Sequence, residues 1–95
     1  MTVFLISASE FRTSQRGGLY KLCIFKNVDS SDKKTYKLYV YDNHSMSKRF
    51  FDYLKPGNIF ENMEVLAENK DKNYLNGCSD FKLNGNVYEQ RKKVS

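Results

Sequence analysis

Tryptophan is absent from this 95-residue chain, and proline, histidine and cysteine are nearly so, at one, one and two residues. Two cysteines, Cys23 and Cys78, are too few for a disulfide framework and lack the spacing of a zinc site. One histidine, His44, has no Asp, Ser or Cys at a catalytic-motif spacing, so it is expected as a surface residue. Gly17-Gly18 is not followed by the Lys and Ser/Thr of a phosphate loop, which leaves nucleotide hydrolysis unsupported. No cofactor is expected and no enzymatic reading gains support. Long apolar runs are missing too. The apolar start at residues 3–6 is shorter than a signal-peptide core and has no basic residue before it. No run approaches the ~18 residues of a membrane span, so a cytoplasmic protein without a membrane partner is expected. The length suits one small domain and rules out a cleft between large domains.

What is present is positive charge and aromatic side chains. Sixteen Lys and Arg against eleven Asp and Glu give +5, and seven Tyr with seven Phe supply the rings. Positive charge suits a polyanionic partner, and unpaired bases stack on aromatic faces. Aromatics also serve small β domains as core and strand formers.

Residues 2–8 (TVFLISA), 19–26 (LYKLCIFK) and Thr35–Tyr41 (TYKLYVY) are rich in β-formers. Polar loops separate them: residues 12–18 (RTSQRGG) and 27–34 (NVDSSDKK). Residues 44–54 follow a helical period, with Met46, Phe50, Tyr53 and Leu54 on one face and Asp42 or Asn43 as the cap. Lys48 and Arg49 are expected on its solvated face. Pro56-Gly57 predicts a turn, residues 59–68 a fourth strand and residues 74–83 a fifth, with Gly77 marking a bend. Asn84-Gly85 reads as a tight turn before a basic tail. The expected class is mainly β, a five-stranded OB-type barrel with one helix between strands 3 and 4. Its domain spans residues 1–83, and residues 84–95 form a short turn and basic tail.

Alternation assigns Tyr36, Leu38 and Val40 to the interior, and Lys37, Tyr39 and Tyr41 to the outer surface. On the preceding strand Leu22 and Ile24 are expected inside, sharing a face with Tyr20. Lys21 and Phe25 then join the outer patch. Basic loops frame it: Arg12 and Arg16, Lys33 and Lys34, and Lys70 and Lys72 with Tyr74 beside them. Rings beside cations are the chemistry of a single-strand platform, with bases on the rings and phosphates on the cations.

With this strand order, the Arg12 to Gly18 loop, and LYKLCIF and TYKLYVY as an aromatic and basic face, the chain resembles the small OB-fold single-stranded DNA-binding proteins of phages and plasmids. The gene V type of filamentous phage is similar in size. The resemblance implies cooperative, sequence-tolerant coating of single strands in replication or recombination, as a homodimer, in the host cytoplasm if phage-encoded. Phe25, Tyr39 and Tyr41 would stack bases, while Arg12, Arg16, Lys21 and Lys37 would bind backbone. The longer bacterial single-stranded DNA-binding proteins end in an acidic tail and many stack bases on Trp, and the chain departs from them in lacking Trp and in carrying Arg91-Lys92-Lys93 near its end. Two other readings stay open. One is an RNA-binding OB domain of the cold-shock kind. The other is a protein-interaction module, such as a phage inhibitor or replisome accessory subunit, using the same aromatic face.

Overall fold

The computed structural model describes residues 1–29, 31–66, 73–77 and 79–87, and of residues 46, 47, 86 and 87 the backbone alone. As expected, the chain is mainly β. Six strands pair antiparallel in an open sheet: β1 (Val3–Ala8), β2 (Arg12–Thr13), β3 (Leu19–Asn27), β4 (Thr35–Tyr41), β5 (Asn58–Glu61) and β6 (Lys82–Val87). Their path runs β2-β3-β1-β5-β6, with β4 on the other side of β3. No helix among the described residues is long and apolar enough to cross a membrane.

One side of the sheet closes over the core. Val3 and Leu5 of β1, Cys23 and Phe25 of β3, and Tyr36, Leu38 and Val40 of β4 are buried there, with Phe50, Phe60, Met63 and Leu75. Burying one such Phe contributes roughly 2–3 kcal/mol. Phe60 is the hub, with Phe25 edge-on at 5.5 Å and Phe50 tilted at 5.9 Å. A bulge shapes β1: Leu5 faces Phe25, but Ser7 already faces Ile24 and Ala8 faces Cys23. The extra residue lets Leu5 and Ala8, three apart, both pack on the core.

Side chains order the β3–β4 loop. Asp29 Oδ1 accepts from the Ser31 N–H (3.0 Å) and hydroxyl (2.8 Å). Asp32 accepts from the Lys34 N–H (3.0 Å), the Tyr36 hydroxyl (2.6 Å) and the Asn27 amide (3.3 Å). Short carboxylate side chains thus supply the turn bonds that the backbone leaves open.

The helix expected over residues 44–54 does not form. In its place are one turn, α1 (Ser45–Lys48), and a 3₁₀ turn at Phe51–Tyr53. A short helix needs one packed face to persist. Here adjacent rings are pulled to different neighbours. Phe50 stacks on Phe81 at 4.2 Å, whereas Phe51 meets Phe11 at 5.4 Å. Tyr53, expected on the packed face, is 37% exposed. Arg49 is not merely solvated: its guanidinium donates to the Ser79 carbonyl and lies 4.5 Å over the Phe81 ring. Pro56-Gly57 does turn the chain. The Asn58 N–H donates to the Lys55 carbonyl (3.0 Å), and Gly57 sits at φ +95°.

The expected fourth strand stops early. β5 ends at Glu61, and Asn62 takes φ +66°, with its amide donating to the Asp80 carbonyl (2.7 Å). Pairing resumes as an isolated antiparallel bridge, Val65 to Leu75, and a parallel one joins Lys37 to Tyr74. The buried Ser79 ties this region together, accepting from the Glu64 N–H (3.0 Å) and donating to the Asn76 carbonyl (2.6 Å). Asn84-Gly85 is strand, not turn: Leu83 faces Phe60, and the Asn84 amide donates to Glu61 (2.7 Å). Ladder hydrogen bonds to β5 outweigh the local turn preference.

Candidate nucleic-acid interface

β3 and β4 pair without interruption, Tyr20 opposite Tyr41, Leu22 opposite Tyr39 and Ile24 opposite Lys37. Residues directly opposite share a face. The buried pairs, Cys23 with Leu38 and Phe25 with Tyr36, hold the core face. Tyr20, Tyr39, Tyr41 and Lys37 therefore stand on the other. β2 extends this face, because Arg12 pairs with Tyr20. The parallel bridge to Lys37 adds Tyr74 beyond β4.

Four of the seven tyrosines thus form one cluster. Tyr20 meets Tyr39 edge-on at 5.6 Å and Tyr41 tilted at 5.4 Å. Tyr39 and Tyr74 stack at 5.9 Å, with 19° between planes. Burial among these rings pushes the Tyr39 phenol above its ordinary pKa, and its hydrogen bond with Tyr74 adds to the shift. Tyr39 nevertheless stays 37% exposed. The rings brace one another and still offer area to a flat ligand.

The β2–β3 hairpin walls one end of the cluster. The Ser14 N–H donates to the Gly18 carbonyl (2.8 Å), the Gly17 N–H to the Ser14 carbonyl (2.9 Å), and the Gly18 N–H to Ser14 Oγ (3.1 Å). Gly17 at φ +84° closes this tight tip. Gln15 and Arg16 are held at its apex, exposed. Between the tip and the rings lies a groove of about 660 Å³, floored by Tyr20, Tyr39 and Tyr41 and flanked by Arg16 and Asn43. Neither Tyr20 nor Asn43 was expected in the site. Tyr20 was hidden because both alternating sets of β3 are largely apolar, and no sequence signal singles out Asn43.

Among the other expected contacts, Phe25 must be corrected. It is fully buried, since the pairing of β3 with β4 turns Cys23 and Phe25 inward. Lys21 goes with that face, and its ammonium lies 4.9 Å over the Phe11 ring, away from the tyrosines. Lys33 and Lys34 are exposed in the β3–β4 loop, at the far end of the strands from Arg16. Lys70 and Lys72 lie outside the described residues, as do Cys78 and the basic tail. Burial raises the Cys23 thiol to about 12, only partly opposed by the Lys21 charge. His44 is exposed, its carbonyl accepting the Lys48 N–H (2.8 Å) that closes α1. Among the described residues no group of three or more His, Cys, Asp or Glu could hold a metal ion. Compared with family models, curated proteins and solved structures, the chain finds no match in any of the three.

Proposed function

We propose that this chain is a non-enzymatic, largely sequence-tolerant binder of single-stranded DNA, acting in replication or recombination. The observation that carries the reading is the cluster of Tyr20, Tyr39, Tyr41 and Tyr74 on one sheet face, bordered by Arg12, Arg16 and Lys37. Base stacking on such rings is indifferent to sequence, and cations at the border take phosphates. From Tyr41 to Thr35 the face runs ~20 Å along β4, room for several nucleotides of an extended strand. Lys33 and Lys34 stand at one end of that path and Arg16 at the other.

The backbone pairing supports an OB-type reading of the fold. Residues 64–66 pair antiparallel with 74–76, and residues 58–61 with β6. Both sets belong to one interrupted hairpin. Its Tyr74 end meets β4 in parallel, and its β5 end meets β1. On this reading the two isolated bridges join the ends of the sheet into a ring, as the fourth and fifth strands of an OB barrel do. A second copy is the expected protein partner, which light scattering at several concentrations tests. Exposed Leu83 on β6, the last strand of the path, is in keeping with it.

The deciding experiment is fluorescence anisotropy of a labelled ~30-nucleotide oligo-dT, beside its RNA counterpart and the matching duplex, at low and moderate salt. Tight, salt-sensitive binding to the DNA strand and weak binding to duplex is the expected result. Tighter binding to RNA would move the protein to the RNA-binding class. No binding at low salt would overturn the proposal and return the tyrosine face to the protein-interaction reading.

A further inference from the structure

We propose that the groove beside Asn43 is a single-base subsite that favours adenine, an inference that rests on the single-strand reading above. The groove is concave, whereas the rest of the tyrosine face is a strand surface. Its floor is Tyr20, Tyr39 and Tyr41, and its walls carry the polar side chains of Ser14, Gln15 and Asn43. About 660 Å³ lies within the range of small-ligand sites. A purine on the ring floor therefore has its edge against the polar wall.

The position of Asn43 is built into the fold. Gly18 has no positive φ, so its backbone does not require glycine. A Cβ at Gly18 would instead lie 3.2 Å from the Asn43 amide nitrogen and 3.5 Å from Ser14 Oγ. The missing side chain makes room for the amide. The backbone before Asn43 is fixed as well, because the Asp42 N–H donates to the Leu19 carbonyl (3.0 Å). Among the described residues no hydrogen bond engages the side chains of Gln15, Arg16 or Asn43.

The chemistry of an amide selects the base. It offers one donor beside one acceptor. Adenine presents the matching acceptor and donor on its Hoogsteen edge, N7 beside the N6 amino group, and again on its Watson–Crick edge. Guanine shows two acceptors on its Hoogsteen edge, so guanine, like the pyrimidines, matches on the Watson–Crick edge alone. Adenine therefore pairs with the amide whichever edge enters, and its double ring covers more of the tyrosine floor. Arg16, at the hairpin tip, takes the adjoining phosphate.

The test is competition against labelled oligo-dT by unlabelled ~15-nucleotide oligo-dT carrying one central dA, dC or dG. A single substitution avoids the self-stacking of oligo-dA, and a tolerant binder can shift its register to seat that base. The dA strand is expected to compete about tenfold better than plain dT, within the range of one bidentate amide–adenine pair. Asn43→Ala should bring that advantage below about twofold and leave the oligo-dT salt slope unchanged, because an amide releases no counterion. Equal competition by all four strands, a preference for another base, or equal weakening of every strand by Asn43→Ala overturns the adenine subsite while the single-strand reading stands. Failure of every oligonucleotide to bind overturns both.

Discussion

Side chains with the same ring play opposite parts in this protein, and substitution separates them. Tyr39 and Tyr41 stand on the outer face, so Tyr39→Ala and Tyr41→Ala should each weaken single-strand binding by about 1–3 kcal/mol and leave the fold intact. Anisotropy with circular dichroism checks both halves of that statement. Phe25, by contrast, is fully buried. Phe25→Ala should cost about 3–5 kcal/mol of stability in urea unfolding. Tyr36 differs again. Its hydroxyl donates to Asp32 at 2.6 Å, and this bond, with burial, raises the phenol to about 12. A raised folded pKa favours the native state fully below the ordinary phenol value near ~10. That contribution is lost as pH climbs through about 12. The same bond lowers the Asp32 pKa, so its contribution holds above the ordinary carboxylate value and fades as pH falls through the lowered one. In an ultraviolet absorbance titration Tyr36→Phe should remove the tyrosine step near 12. An unchanged curve would place that step on another ring.

Among the elements, turns and strands set different demands on glycine. Gly57 follows Pro56 in the turn before β5 at φ +95°, where an L side chain is strained. Gly57→Ala should destabilise by about 1–2 kcal/mol. Gly85 lies in β6 without a positive φ, and a Cβ there meets nothing within 4 Å. Gly85→Ala should be neutral or stabilise by up to about 1 kcal/mol. Urea midpoints at constant slope compare the two. The short α1 reflects a similar contest between local preference and packing. The period of residues 44–54 is helical, but Phe50 belongs to the Phe60 and Phe81 cluster while Phe51 belongs with Phe11. Tertiary packing on both sides prevails over one continuous helical face.

For the whole molecule, the expected signature of the proposed function is electrostatic. Single-strand affinity should fall with salt as counterions are released, and neutralising Arg12 or Arg16 should reduce the log–log slope by roughly 0.7 for each phosphate left without its cation. Titrations at four salt concentrations read that slope, and an unchanged value in both variants would remove these arginines from the interface. Charge, the wealth of rings, the mainly β class and the two faces of β4 were all legible in the residues alone. Alternation on β4 is legible because Lys37 marks one set as outer while the other, Tyr36, Leu38 and Val40, is the more apolar, and the structure buries that second set. The faces of β3 were not legible in this way. Tyr20, Leu22 and Ile24 are about as apolar as Cys23 and Phe25, so periodicity alone gives no sign, and pairing with β4 and the bulged β1 settles which set is buried. Asn43 joined the face for a related reason: it lies outside the named strands and is brought there by partners distant in the chain, the Asp42 bond to Leu19 and the gap at Gly18. Tyr74, expected beside the patch, is held against it by the Lys37 bridge. Local sequence encodes which side chains a strand carries, whereas the direction they face is a property of the partners that strand finds.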